Sequence, residues 1–392
     1  MSFQTSSPLS RRQLLALTGR LGAGIATAAM APGDLLAQVP AGKDARLLIR
    51  SPNPLDLETP TALLDAFITP VAAFYVRSHM MAPRAEEGAW RLVIDGEVAT
   101  PQSLSLSDLR GMPALTVTAT LECAGNGRAF FDPPVAGIQW RRGAVGTARW
   151  TGVRLVDLLK RAGALPSGTH VWMAGGDRPF GTQPSFVRQL PIAKAADPDT
   201  LVAYAMNDVP LPSDHGFPLR VIAPGWEGAY SVKWLDRLTV APRDHDGFWV
   251  ASAYRYPATR VAPGAAVDAK QMEPLTGLAV KSLITRPLEG AVVAPGRVAV
   301  AGFAWAGETD VAKVDVSTDG GASWQPARLI GDRVPYTWRR FEFAFDVTRP
   351  ESYTILSRAT DGRGHTQPVV PPWNPSGYLW NAPDQVRIDV RA

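Results

Sequence analysis

A chain of 392 residues has room for two or three domains at roughly 150 residues each, and 46% hydrophobic against 19% charged residues excludes a disordered chain. Lys and Arg number 40 and Asp and Glu 36, and a net charge of +4 argues against a nucleic-acid binder held by bulk charge. A single cysteine excludes an intramolecular disulfide, a CxxC pair, a Cys-rich zinc site and a CxxCH haem attachment, while 35 Gly and 35 Pro disfavour a helical bundle.

At the amino terminus, Arg11 and Arg12 stand just ahead of Leu14-Leu15, and a small, apolar run rich in Gly and Ala leads to Ala37. That order has the pattern of a cleavable twin-arginine signal over residues 1–37, a route that exports proteins already folded. Arg20 and Asp34 interrupt the run, so it does not read as a membrane span. Cleavage after Ala37 removes Arg11, Arg12, Arg20 and Asp34 and takes the net charge to about +2. The expectation is a periplasmic protein with no membrane span and no nucleic-acid partner.

Residues 38–60, rich in Pro and polar groups, read as an extended lead-in. From Trp90 onward, short alternating apolar segments such as WRLVIDG, ALTVTATLECAG and HVWMAGG, separated by Gly, Pro and Asp, predict strands of a mixed sheet. Two short helices are predicted. One begins at Ser105 in SLSDLRGM, and the other, VRLVDLLKRAGA, ends at Gly163. Residues 241–275 read as loop. Beyond them KSLITRP, GRVAVAGFAWAG, VAKVDVSTDGGASWQPARL, RRFEFAFDV and YTILSRATDGRG follow at even spacing, with Asp319-Gly320-Gly321 as a hairpin turn. The fold class is therefore α+β. A mixed α/β domain over residues 38–270 precedes an immunoglobulin-like β-sandwich over 271–392.

Cys123 lies where a Val- and Thr-rich strand runs into the turn Ala124-Gly125-Asn126-Gly127-Arg128. Glycines there allow a bulky ligand close to the backbone, and the arginine five residues on favours the thiolate. An inert buried thiol, a nucleophile and a soft ligand to a transition metal all remain open on these residues. Arg77 and His79 in FYVRSH lie two apart on one side of an extended segment. His215 and Arg220 in SDHGFPLR, and Ser231 and Lys233 after PGWEG, add donors and positive charge suited to an anion such as a phosphate. GxGxxG and GxxxxGK[ST] are absent, so a Rossmann or P-loop nucleotide site is unsupported.

In their order and spacing, FYVRSH, LECAGNGR, the Trp140 segment, DHGFPLR, SVKWL and the VDVSTDGGASW hairpin resemble the sulfite oxidase family of molybdenum enzymes. The resemblance implies a molybdopterin-binding domain followed by a dimerisation domain, with one molybdenum–molybdopterin per chain and no haem. It implies that Cys123 is the protein ligand to molybdenum, in accord with soft sulfur ligation. His79, Asp177, His215, Arg220, Ser231 and Lys233 match positions that hold the pterin and its phosphate. Arg77, Arg128 and Trp140 match the anion pocket, and Tyr254 the active-site tyrosine. The implied activity is oxidation of sulfite to sulfate, with electrons passed to an external c-type cytochrome and the chain in a homodimer or a heteromer with a cytochrome subunit. Ser376 stands where animal members carry an arginine, one positive charge fewer for sulfite or a related sulfur oxyanion. PGWEG and the C-terminal hairpin also resemble a sulfane dehydrogenase subunit acting on protein-bound sulfur, and a more distant relative reduces methionine sulfoxide. A non-catalytic binding module would have lost the metal, and a cysteine hydrolase would need His79 or His215 beside Cys123.

Overall fold

The computed structural model describes residues 38–179 and 181–391, so the expected export segment lies outside the described residues. Residues 39–392 form one compact unit. Among the described residues no helix is long and apolar enough to cross a membrane.

Two five-stranded sheets build the first lobe. One runs Val209–Pro210, Leu201–Met206, Val145–Arg154, Ala114–Glu122, with Arg220–Ile222 also paired to Leu201–Met206. The other runs Gln102–Ser105, Arg91–Gly96, Leu235–Ala241, His170–Gly175, Val187–Pro191. Only the Arg91–Gly96 and Leu235–Ala241 pair of that second sheet is parallel. The inward side chains of both sheets, Val153, Val202 and Val221 from one and Leu92, Ile94, Met173 and Leu238 from the other, share a core with two helices. Leu106–Arg110 starts at the predicted Ser105, whose hydroxyl and Asp108 carboxylate satisfy each other's backbone N–H in a capping box. Leu155–Ala162 ends on Gly163 at φ +67°, a left-handed cap that favours glycine.

The opposite face of the first sheet carries a second core, in which Val117, Ala119 and Leu121 meet Phe74, Tyr75, Trp140 and Trp150. Segments read as loop contain more order than the sequence signals. The lead-in holds an antiparallel hairpin, Leu48–Pro52 with Leu55–Glu58. Its last residue, Glu58, accepts backbone N–H bonds from Arg141, Arg142 and Gly143 at 2.9–3.1 Å, which fixes the loop entering Val145–Arg154. Residues 241–275 include the turn of helix Phe248–Ala251 and a ladder of Arg255–Pro257 with Met272–Pro274. Their pairing is non-local, so no run of alternating residues announced it.

The second lobe consists of a four-stranded sheet, Lys281–Arg286, Gly296–Trp305, Arg339–Val347, Arg328–Ile330, and a five-stranded sheet, Ala291–Val293, Asp384–Val390, Ser352–Asp361, Val311–Ser317, Gln325–Pro326. Ile284, Val298, Val300 and Phe341 from one sheet meet Val314, Val316, Ile355 and Ile388 from the other in one core. The turn after Val311–Ser317 has Gly320 and Gly321 at φ +71° and +97°, as the Asp-Gly-Gly signal predicts.

Candidate active site

Strand Ala114–Glu122 ends one residue before Cys123. Beyond it the chain turns tightly, with Asn126 N–H donating to the Cys123 carbonyl at 2.7 Å and Cys123 N–H donating to the Ala144 carbonyl at 2.9 Å. Gly127 completes the turn at φ +95°, and a Cβ there would meet Trp380 at 2.5 Å, so both conformation and packing demand glycine. Cys123 is thereby presented to a cavity.

Nine of the sequence-predicted residues line this cavity: Arg77, His79, Cys123, Asp177, His215, Arg220, Ser231, Lys233 and Tyr254. They come from six separate segments, brought together by the edges of both sheets of the first lobe. Arg77 and His79 follow Val76, which exchanges backbone hydrogen bonds with Leu57 of the lead-in hairpin at 2.9 Å. Asp56 of that hairpin accepts from Arg77 Nη1 at 3.2 Å and from Ser78 N–H at 2.9 Å, and Arg77 also donates to the Ser78 carbonyl.

The cavity has two chemically different ends. At one, Arg220 donates to the carbonyls of His215 and Ser231 at 3.0 and 2.9 Å, while its Nε is buried without a partner. Lys233 Nζ donates to Ser78 Oγ at 2.8 Å and the Asp214 carbonyl at 2.9 Å. Lys43 Nζ donates to the carbonyls of Val71 and Phe74, each at 3.1 Å, and lies 2.5 Å from His215 Nε2. Burial disfavours the charged forms of these cations. Lys233 falls to about 7, with Arg220 repelling it as well, Lys43 to about 8, and Arg220 to about 10. Burial and the same cations push His215 well below its ordinary range, leaving it neutral. A set of crowded, under-neutralised donors with an orphaned guanidinium N–H is a receptor for a buried anion such as a phosphate. Asp177 stands beside it, its carboxyl raised to about 6 by burial.

At the other end, Tyr254 and His79 place oxygen and nitrogen 2.5 Å apart. His79 is driven well below its usual range by burial and by Arg77 and other cations, and burial drives the Tyr254 phenol upward. Both groups are therefore neutral at physiological pH. Tyr254 holds φ +54°, an uncommon left-handed backbone for a large residue, and stacks on Tyr378 with ring centroids 5.5 Å apart. For Cys123, burial outweighs the opposing pull of Arg77 and Arg128, so the thiol is raised rather than lowered. The expectation of a thiolate from one nearby arginine fails in the chain alone because desolvation is the larger effect.

Arg128 and Trp140 do not line the cavity. Trp140 is fully buried in the aromatic core against Tyr75, its indole N–H without a partner. Arg128 occupies a slot walled by glycines, since a Cβ on Gly125, Gly137 or Gly377 would lie 2.7–2.8 Å from its side-chain nitrogens. It donates to the carbonyls of Ile138 and Ser376 at 3.1 and 3.3 Å. Ser376 itself donates to the Arg255 carbonyl at 2.8 Å.

Sequence reasoning missed Lys43, Asp56 and Arg188. Lys43 and Asp56 lie in the lead-in, and only long-range pairing brings them against the cavity residues His215 and Arg77. Arg188 had a readable signal: in strand Val187–Pro191 it has the inward parity of Leu190. Its guanidinium sits 4.4 and 4.7 Å from the ring centroids of Tyr230 and Tyr254.

A thiol at one end and a buried cationic receptor at the other fit a phosphorylated, metal-carrying cofactor. Residues 79–249 match the family described as oxidoreductase molybdopterin binding domain, and residues 273–391 the Mo-co oxidoreductase dimerisation domain. Sulfite oxidase of Gallus gallus is 40% identical over 352 residues, covering 86% of this chain and 76% of its own. The mitochondrial sulfite oxidase of Homo sapiens is 38% identical, and the match spans 66% of its length. Sulfite oxidase of Arabidopsis thaliana is 32% identical over 85% of this chain and 91% of its own. Among solved structures, the sulfane dehydrogenase SoxCD from Paracoccus pantotrophus superposes with a TM-score of 0.76 at 27% identity, covering 93% of this chain and 96% of that one.

Proposed function

The chain belongs to the sulfite oxidase family of molybdopterin-binding oxidoreductases, and on that premise we propose that it oxidises sulfite to sulfate. The observation that carries the reading is the convergence of Cys123, Arg77, the Tyr254–His79 pair and the cationic cluster in one cavity. The balanced reaction takes sulfite and water to sulfate, two protons and two electrons. Molybdenum–molybdopterin, one per chain, supplies the two-electron redox chemistry when bound.

The residues divide the remaining work. Lys233, Arg220, His215, Ser231, His79 and Asp177 would hold the pterin and its phosphate, with Lys43 fixing the His215 ring. Cys123 is the protein ligand to the metal. Arg77, oriented by Asp56, offers its remaining N–H groups to the sulfite oxygens as charge-assisted hydrogen bonds. Arg128 adds positive potential from its slot, and Trp140 backs the pocket. The neutral Tyr254–His79 pair orients a substrate or water oxygen by hydrogen bonding, and the two protons released pass to solvent, because burial and the nearby cations disfavour protonating His79.

The family resemblance makes an external c-type cytochrome the proposed electron acceptor. Residues 1–37 act as a twin-arginine signal delivering the loaded protein to the periplasm. Residues 271–392 form an immunoglobulin-like sandwich for a homodimer or a heteromer with a cytochrome subunit, and 38–270 form the catalytic domain. The test is protein made in a molybdenum-competent host. About one molybdenum per chain and sulfite-dependent cytochrome c reduction are expected, and Cys123→Ser should abolish turnover in a folded protein. Molybdenum-free protein, or loaded protein inert to sulfite, sinks the reading. Greater identity to the sulfite oxidases than to the sulfane dehydrogenase puts sulfite first among substrates.

A further inference from the structure

The second lobe reaches the Cys123 turn from behind. Lys281 and Trp305 are directly opposed partners across strands Lys281–Arg286 and Gly296–Trp305. Both are buried, and both aim at Glu122, the residue before Cys123. Lys281 Nζ lies 2.6 Å from Glu122 Oε1 and donates to the Asn126 carbonyl at 3.0 Å. Trp305 Nε1 donates to Glu122 Oε2 at 2.7 Å. Asn126 closes the circuit, giving its amide N–H to Glu122 at 2.8 Å and taking the Ala144 N–H at 3.1 Å. The Cys123 carbonyl is in turn held by Asn126 N–H at 2.7 Å.

A buried carboxylate accepting a lysine, an indole and an amide is fully satisfied, and removing its one cation leaves an unpaired charge in a dry site. That charge would sit one residue from the cysteine, near Glu227, whose carboxyl burial and the charge of Glu122 already hold well above its ordinary range. We propose that Lys281 and Trp305 are positioning residues for Cys123: one rung of the second lobe fixes the ligand turn and balances the charge beneath it. The domain matched as a dimerisation module therefore also builds the metal site of its own chain.

The inference rests on the functional reading only in taking Cys123 as the metal ligand. Lys281→Met should lower the midpoint potential of the metal, because added negative charge opposes reduction, and should alter the electron paramagnetic resonance spectrum of the half-reduced holoenzyme. Lys281→Arg should restore both. The double variant Lys281→Met/Glu122→Gln, which removes both charges, should move both back toward wild type. In the metal-free chain, Lys281→Met should speed amide hydrogen exchange at residues 122–127 at least tenfold, with the rest of the first lobe unchanged. If wild type binds no molybdenum, the functional reading fails, and the exchange measurement still decides the positioning role. If Lys281→Met does not fold, Trp305→Phe, which removes only the indole N–H given to Glu122, decides: faster exchange at residues 122–127 with an altered spectrum supports the role, and wild-type values of both overturn it. Wild-type spectrum, potential and exchange in Lys281→Met also overturn it.

Discussion

Gly125→Ala tests whether the slot around Arg128 matters to the reaction. Gly125 has an ordinary backbone conformation, so alanine adds a methyl group without torsional strain. That methyl carbon would stand 2.7 Å from Cζ, Nη1 and Nη2 of Arg128, against about 3.4 Å for ordinary contact, a shortfall of about 0.7 Å. A long side chain usually swings away from such an intrusion. Here Gly137 and the Tyr378 ring, whose centroid is 5.2 Å from Arg128 Cζ, close the other sides. Retreat stretches the bonds to Ile138 and Ser376, now 3.1 and 3.3 Å, beyond hydrogen-bonding length. Overpacking of this size costs roughly 1–3 kcal/mol of stability, and misplacing a charged group near the reacting centre by close to 1 Å costs on the order of 10²-fold in rate. Sulfite-dependent cytochrome c reduction gives kcat/KM, and thermal unfolding gives stability. The decisive comparison repeats Gly125→Ala in an Arg128→Met background, where the flexible thioether can yield and the added loss should largely disappear. A kcat/KM within twofold of wild type, or equal losses in both backgrounds, refutes the steric argument.

Tyr254→Phe removes the hydroxyl 2.5 Å from His79 and should lower kcat by about 10²-fold with little change in KM and an unchanged shape of the pH profile, read from steady-state kinetics between pH 6 and 9. Lys233 and Lys43 hold their protons only below about 7 and 8, and Asp177 gains negative charge above about 6. Retention of an anionic cofactor should therefore weaken as pH rises from 6 to 9, measured as molybdenum and pterin content after dialysis. The two lysines act oppositely on the empty chain. Between about 7 and the unfolded lysine value near 10.5 the unfolded state binds more protons, so they raise the stability of the metal-free fold with rising pH. Ser105→Ala breaks the capping box and should cost about 1 kcal/mol in urea unfolding without changing kcat/KM.

The local elements were legible because short-range chemistry dictates them. Ser105 caps a helix, Gly163 ends one, Gly320 and Gly321 turn a hairpin, and alternating apolar residues place the long strands. The motif residues Cys123, Arg77, His79, His215, Arg220, Ser231, Lys233, Asp177 and Tyr254 were also legible, since donor types in that order carry the family resemblance, and the fold gathers them in one cavity. The protonation states were not. One arginine beside Cys123 suggested a thiolate, but burial, a property of the whole packed chain, raises the thiol. Tertiary structure alone decided that Arg128 and Trp140 stand away from the cavity surface, that Lys43 and Asp56 of the lead-in serve it, and that Lys281 and Trp305 brace the Cys123 turn from the second lobe. These contacts join residues up to 248 positions apart. Periodicity and local turn chemistry act over a few residues, whereas such partners are set by how sheets and lobes pack.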